Sequence, residues 1–124
     1  MTYDAVTSHL LSLPGAVLSV QWGDDHIFKV GGKMFAAMGP KTRGPQGLSF
    51  KADEISFHVL TKKRGIIPAP YLARAQWVRI DKLDRLPEKQ LKGYLTRAHA
   101  LVAEKLPKKT RAALGLAASP PHDA

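Results

Sequence analysis

The first apolar residues of the chain recur with the spacing of an α-helix. They are separated by three, four and three positions: Tyr3, Val6, Leu10 and Leu13. Side chains at these intervals lie on one face of a helix. A Pro-Gly pair follows directly and ends the pattern. The sequence therefore begins with an amphipathic helix of about three turns.

Alternating apolar and polar residues then predict strands joined by tight turns. The runs are VLSVQW, HIFKV and KMFAAMG, with turns at Gly23-Asp24-Asp25 and at Gly31-Gly32. Two consecutive glycines suit a primed hairpin turn, because both central positions of that turn need positive φ. A Gly/Pro-rich stretch at 39–47 predicts an exposed loop before a fourth strand, LSFK.

The same alternation assigns side chains to the two faces of the predicted sheet. It places Ile27 and Lys29 on the face opposite to Phe28 and Val30. In the third strand it places Phe35 and Ala37 on one face. The opposite face then carries Met34, Ala36 and Met38. One face can then pack on helices while the other is partly hydrated.

The segment ADEISFHVLTKKRG, residues 52–65, fits both a strand and a helix. Ile55, Phe57 and Val59 alternate, but Ile55 and Val59 also follow helical spacing from Ala52. Asp53 is a good N-cap, so we favour a helix that Gly65 ends as a left-handed residue. The basic triplet 62–64 would then occupy the last turn, where cations are favourable.

The second half predicts one or two strands and two helices. In QWVRI, Trp77 and Arg79 lie on one face and Val78 and Ile80 on the other. Pro87 begins a long helix whose buried stripe is Leu91, Leu95, Ala98 and Val102. Pro107 begins a short helix that Gly115 caps.

These elements predict an α+β fold, a two-layer sandwich with an antiparallel sheet and helices on one face. The order is α, three or four strands, α, one or two strands, α and α. We expect one domain over residues 1–115 and a disordered tail over 116–124.

Positive charge is concentrated in the second half of the chain. The net charge is +9. Residues 1–60 carry five basic and five acidic side chains, so the whole excess lies in residues 61–124. Such a field attracts polyanions, although surplus lysine also serves solubility alone.

The ordered combination of several short motifs resembles the MmcQ/YjbR family. The motifs are LPGA, WGDDHIFKVGGKMFAAMG, IIPAPYL, the single Trp77, and KLPKKTR, and the resemblance covers roughly residues 10–111. It implies a compact two-layer α/β fold, comparable to the frataxin-like and secretion-chaperone-like folds. Members are bacterial cytoplasmic proteins commonly labelled DNA-binding, and the resemblance implies no catalytic residues.

Catalytic, metal and cofactor motifs are missing from the sequence. There is no cysteine, and the five histidines lie outside any G-x-S-x-G or H-E-x-x-H setting. The side chains of Asp24, Asp25 and His26 could bind a metal ion. Because Asp is common in turns, we interpret this segment as a turn. The glycine-rich loop lacks the order of a phosphate-binding loop. We expect a non-enzymatic protein without a metal or cofactor.

No run is long enough for a membrane helix, and the N-terminus does not resemble a secretory signal. We therefore expect a cytoplasmic protein that does not act in a membrane.

DNA or another polyanion is the predicted partner. Phosphate-seeking side chains in the basic half are Lys62, Lys63, Arg64, Arg74, Arg79, Lys105, Lys108, Lys109 and Arg111. Tyr71 and Trp77 are candidate stacking platforms, although a tryptophan in a strand is also a common core residue. The alternative is an interaction module that docks an acidic protein through its sheet face or an exposed edge.

Overall fold

The computed structural model describes residues 1–21, 25–40, 47–70 and 72–116. The helices are α1 (Tyr3–Ser12), α2 (Glu54–Leu60), α3 (Glu88–Ala103) and α4 (Lys108–Ala113). The strands are β1 (Ala16–Gln21), β2 (Asp25–Val30), β3 (Lys33–Met38), β4 (Leu48–Lys51), β5 (Ile66–Pro68) and β6 (Trp77–Ile80). The predicted α+β class and element order are confirmed.

The six strands of the described chain form one antiparallel sheet in the order β1-β2-β3-β4-β6-β5. Helices α1 and α3 pack against it and against each other, and α2 packs on β5 and β6. The core contains alternate strand residues such as Phe28, Phe50 and Val78, together with Leu10 and Leu95 from the helices. One sheet face is therefore buried beneath α1 and α3, as alternation predicts.

Helix α1 begins and ends where the sequence predicts. The Thr2 hydroxyl accepts a hydrogen bond from the backbone N–H of Ala5 at 3.1 Å, which caps the first turn. Val6 and Leu10 are fully buried. The helix ends at Ser12, directly before Leu13 and the Pro-Gly pair.

The predicted Gly-Gly turn is present between β2 and β3. Gly31 and Gly32 have φ of 57° and 79°, the positive values that a primed turn needs. The other predicted turn lies partly outside the described residues, because these omit Gly23 and Asp24. Asp25 itself begins β2.

The predicted face of Phe35 is wrong, because β3 contains a β-bulge. Lys29 pairs with Met34 whereas Phe28 pairs with Ala36, so Phe35 is an extra residue in β3. Its ring is fully buried and meets the His99 ring of α3 edge-on at 5.3 Å. The bulge thus gives the core two successive residues from one strand.

The segment after β4 is a helix, but it is shorter than predicted. Asp53 accepts a hydrogen bond from the Ser56 N–H at 2.7 Å, which confirms the N-cap. The helix ends at Leu60, because the following backbone bond, from Lys63 N–H to the Leu60 carbonyl, spans only three residues. Gly65 has φ of 80° but serves the turn into β5 and does not cap α2.

The helical stripe predicted for α2 does not face the core. Ile55 is 77% exposed and Val59 is 49% exposed. Leu60 is the buried residue of this helix, and Phe57 packs partly against the core. Helical spacing identified the element, whereas the position of α2 at the sheet margin decides which face is buried.

The C-terminal helices follow the prediction closely. Leu91, Leu95 and Ala98 are buried in α3, and Pro87 stands at the N-cap, one position before the predicted start. A buried histidine was not predicted: His99 Nε2 lies 2.6 Å from the Pro14 carbonyl, to which it donates. Gly115 has φ of 71° and follows α4 as predicted.

Within the described residues, no helix is both long and apolar enough to cross a membrane. The predicted tail covers residues 116–124, and of these, residues 117–124 lie outside the described part of the chain.

Three glycine-to-alanine variants separate backbone strain from side-chain contact. A Cβ on Gly31 would lie 2.6 Å from Leu106 Cδ1, whereas one on Gly32 would meet nothing within 4 Å. We expect Gly32→Ala to lower the free energy of unfolding by about 1–2 kcal/mol through positive φ alone. Gly31→Ala should lose more, because the Leu106 contact adds to the strain. Urea unfolding measures both.

Gly93→Ala in α3 is the opposite control. Its Cβ would also meet nothing within 4 Å, and its backbone is helical. It should raise the free energy of unfolding by about 0.5–1 kcal/mol. Equal losses at Gly31 and Gly32 would show that Leu106 does not constrain the turn.

Candidate functional site

The structure divides most of the predicted cations between two ends of the sheet. We call the end where β6 begins the Trp77 end, and the end where β6 finishes the Ile80 end. These residues are three positions apart, about 10 Å along an extended strand. Lys62, Lys63 and Arg64 lie just before β5, whose first residue pairs with Ile80. The predicted residues therefore do not form one continuous surface.

The basic triplet at the Ile80 end shares its surroundings with acidic groups. Asp81 binds Arg85 through two hydrogen bonds of 2.7 and 2.9 Å, and its backbone N–H donates to the Gly65 carbonyl. The hydrogen bond from Arg85 is the main reason that the pKa of Asp81 is lowered. A small hollow of about 110 Å³ here is lined by Gly65, Ile67, Arg79 and Asp81. This end is of mixed charge.

The Trp77 end contains an apolar cavity with lysines around it. Its volume is about 310 Å³, at the lower end of the range for small-molecule sites. The lining residues are Lys33, Met34, Lys51, Ala75, Trp77, Leu101, Val102, Lys105, Leu106 and Pro107. None of these described lining residues is acidic. We call Lys33, Lys51 and Lys105 the basic rim.

Three separate elements position the basic rim. Lys33 begins β3 directly after the Gly-Gly turn, and Lys51 ends β4 opposite Trp77. Lys105 follows α3, where a cation also favours the helix C-terminus irrespective of any ligand. The close approach of Gly31 to Leu106 holds the hairpin beside the α3–α4 connection.

Lys51 is the most constrained side chain of the basic rim. Its ammonium donates a hydrogen bond to the Ala75 carbonyl. Partial burial lowers the pKa of Lys51, and repulsion from Lys105 lowers it further. Two ammonium groups are therefore close enough to repel each other at the mouth of the cavity.

Other predicted cations lie next to this cavity in the chain. Arg74 precedes the lining residue Ala75, and Lys108 and Lys109 follow the lining residue Pro107. All three are exposed. They therefore add exposed positive charge close in sequence to the cavity lining.

The remaining predicted cations do not line the cavity. Arg79 lies in the middle of β6 on the face opposite to the core, and its guanidinium closely approaches Gly47. Arg111 is half-buried in α4 and interacts within the fold.

The two predicted stacking residues have different outcomes. Trp77 is on the predicted face, but it is only 5% exposed, so its ring is not an open platform for a base. It forms part of the cavity wall instead. Tyr71 lies outside the described residues.

Sequence reasoning missed Lys33 and Lys51, because both belong to the half of the chain whose charges balance. The available signal was pairing: Lys51 ends the LSFK strand, and Trp77 begins the strand that pairs with it. Which strands are neighbours is a tertiary property that charge counts along the chain do not contain.

His26, one of the residues considered as a metal ligand, forms a hydrogen bond with Tyr3. The Tyr3 hydroxyl donates to the Gly39 carbonyl at 2.9 Å and lies 2.8 Å from His26 Nδ1. These bonds join α1 to β2 and the end of β3. No group of three His, Asp or Glu side chains among the described residues is placed to hold a metal ion.

Comparisons with known proteins agree with this fold. The YjbR family model matches residues 11–101, which is more than half of the chain. The crystal structure of Deinococcus radiodurans protein DR2400, which has a DUF419 domain, is similar to this chain, with a TM-score of 0.84 and 27% sequence identity. The alignment covers 99% of this chain and 94% of that one. No curated protein matches the chain.

The repulsion between Lys51 and Lys105 leads to a prediction about the pKa of Lys51. Lys105→Gln should raise the pKa of Lys51 toward its ordinary value, because it removes the repulsion that adds to burial. Carbon-13 NMR of the lysine Cε signals measures this. Lys108→Gln is the matched control and should leave the pKa of Lys51 lowered; an equal rise in both variants would mean that the effect is not local.

The stability change has a definite sign. A lysine whose pKa is lowered by folding is destabilising while it is charged in both states, and this cost is lost as the pH rises from its lowered folded pKa past its ordinary, unfolded value. The Lys105→Gln variant should therefore gain stability relative to wild type below that range of pH, with the difference shrinking at higher pH.

Proposed function

The chain belongs to the YjbR family, and we propose that it is a non-enzymatic cytoplasmic protein that binds nucleic acid, DNA being the first candidate, through the Trp77 end. The observation that carries this proposal is the convergence of the basic rim around one cavity with no lining carboxylate. A concentrated positive surface attracts a phosphate backbone, whatever the sequence of the nucleic acid.

The arrangement of the flanking cations supports a backbone contact. Arg74, Lys108 and Lys109 are exposed and lie within one or two residues of the cavity lining. Long exposed side chains can follow phosphates at several positions without fixed geometry. The Ile80 end supports the proposal less, because Asp81 and Arg85 are paired beside the basic triplet there.

The sequence contains none of the catalytic motifs considered above, and this supports a role in binding. Among the described residues, hydroxyl–imidazole contacts occur between Tyr3 and His26 at 2.8 Å and between Thr96 and His9 at 3.0 Å. The Thr96–His9 contact is exposed and lies on α1 and α3, away from the cavity lining. The Tyr3 hydroxyl is already hydrogen-bonded to the Gly39 carbonyl, and burial raises its pKa. A phenol held in this state is poorly suited to act as a nucleophile at neutral pH.

The salt dependence of DNA affinity tests the proposal. If about four phosphates are neutralised on a duplex, the slope of log K against log salt should be near −3.6. Fluorescence anisotropy with a labelled 20-base-pair duplex measures it. Absence of binding at low salt, or affinity independent of salt, would overturn the proposal.

Two triple variants with the same change in charge locate the contact. Lys105→Gln/Lys108→Gln/Lys109→Gln should make the slope less negative by up to about 2.7, because each lost phosphate contact removes about 0.9. The control, Lys62→Gln/Lys63→Gln/Arg64→Gln, should leave the slope nearly unchanged. All six side chains are exposed, so both proteins should fold. Equal effects would mean that the Trp77 end is not the contact surface.

A second candidate function rests on β1, an edge strand. Its outer edge has no neighbour in the described sheet, and Val17 and Val20 are 54% and 56% exposed. An extended segment of an acidic protein could add to this edge, guided by the net charge of +9.

The two candidates respond to different substitutions. Val20→Lys should disturb a strand added at β1, because charged edge residues oppose edge pairing, and should leave DNA affinity unchanged. The Lys105/Lys108/Lys109 triple variant should reduce DNA retention on a gel while a partner on β1 remains bound. Loss of DNA retention in Val20→Lys alone would contradict this assignment of surfaces.

A further inference from the structure

The cavity at the Trp77 end has a chemistry that a phosphate backbone alone would not use. Its walls are side chains of Met34, Trp77, Leu101, Val102 and Leu106, and its polar side chains are the lysines of the basic rim. An apolar cavity whose charged lining side chains are all lysines suits a ligand with two chemically different parts. The interior suits a hydrocarbon body, and the mouth suits a negative charge.

We propose that this cavity binds a small amphipathic anion, with a compact alkyl or aryl body inside and one carboxylate, sulfonate or phosphate group at the basic rim. The inference uses the same basic rim as the proposed function, but it does not depend on nucleic-acid binding, because the apolar interior of the cavity is what selects the body of the ligand. It goes beyond the proposed function by assigning a class of small molecule to this chain.

The hydrogen-bonding groups of the lining favour an apolar body over a nucleobase. Lysine ammonium and the tryptophan N–H donate only, so the one side-chain acceptor among the described lining residues is the weak thioether sulfur of Met34. The Ala75 carbonyl already accepts from Lys51. The N–H groups of a buried base would therefore lack strong side-chain acceptors, and burying an unsatisfied donor is unfavourable. A hydrocarbon body carries no such cost.

The charges at the mouth favour an anionic end group. Lys51 is partly buried and repelled by Lys105, which lowers its pKa. An anion between the two would offset this repulsion and make charge-assisted hydrogen bonds with both. Lys33 lies at the same cavity from the side of β3. The three groups converge although they are far apart in the sequence.

The methionines provide a direct way to test the proposal. The chain contains three, and Met34 lines the cavity whereas Met38 is buried in the core. In a protein labelled with carbon-13 at the methionine ε-methyl groups, added 2-naphthoate should shift the Met34 signal and leave that of Met38 in place. Octanoate serves as the alkyl arm and 2-naphthoate as the aryl arm, so the two shifts decide which body fits better.

Charge dependence is tested with a matched neutral ligand. 2-Naphthamide has the same ring system without the negative charge, and it should bind about tenfold more weakly, which is the value of a hydrogen bond to a charged group. Equal affinity of amide and carboxylate would overturn the assignment of an anion. Failure of both 2-naphthoate and octanoate to shift Met34 at millimolar concentration would overturn the site.

Variants distinguish the cavity from general electrostatic attraction. Lys105→Gln should weaken 2-naphthoate about threefold or more. Lys62→Gln removes the same charge at the Ile80 end and should have little effect. Ala75→Phe, at an exposed position on the cavity wall, should reduce access to the interior and abolish the Met34 shift. Equal weakening in the two lysine variants, or full binding in Ala75→Phe, would contradict the proposal.

A nucleic-acid control keeps this proposal separate from the proposed function. If Ala75→Phe loses 2-naphthoate but keeps its affinity for duplex DNA, the cavity and the surrounding surface act independently. If wild type binds 2-naphthoate but no DNA, the small-ligand proposal stands and the nucleic-acid proposal fails.

Discussion

The pairing of β4 with β6 is the constraint on which the rest of the site depends. Its register sets Phe50 opposite Val78 in the core and Lys51 opposite Trp77 at the cavity. The two strands are separated in sequence by α2 and β5. Their pairing therefore requires a long loop to close, at a cost in chain entropy, before the contacts between the strands can form. Once it forms, it supplies the centre of the core and one wall of the cavity together. A shift of one residue would exchange these two sets of side chains.

Much of the fold could be predicted because its elements carry local signals. The Gly-Gly turn, the Asp53 cap and the stripe of α3 each depend on residues close in sequence, and all three are present. The failures occur where a distant contact decides. Phe35 leaves the alternating pattern because a bulge turns it toward His99 of α3. Ile55 is exposed because α2 lies at the margin of the sheet, which helical spacing does not reveal.

The candidate site was predictable only in part for the same reason. Charge counts pointed to Lys105, which lines the cavity, but they also grouped it with Lys62 and Arg64 at the other end of the sheet. They omitted Lys33 and Lys51, whose own half of the chain is neutral. The antiparallel order of the strands, and not the distribution of charge along the chain, determines which cations meet.

The repulsion between Lys51 and Lys105 also links ligand occupancy to folding. In an unfolded chain these residues are more than fifty positions apart and scarcely repel each other, so their repulsion is a cost of the native state alone. An anion that neutralises them binds the native state in preference to the unfolded one. By mass action, its concentration then adds to the free energy of unfolding. Thermal stability of this chain should accordingly depend on the anions of its surroundings, so that the population of folded protein itself reports whether the mouth of the cavity is filled.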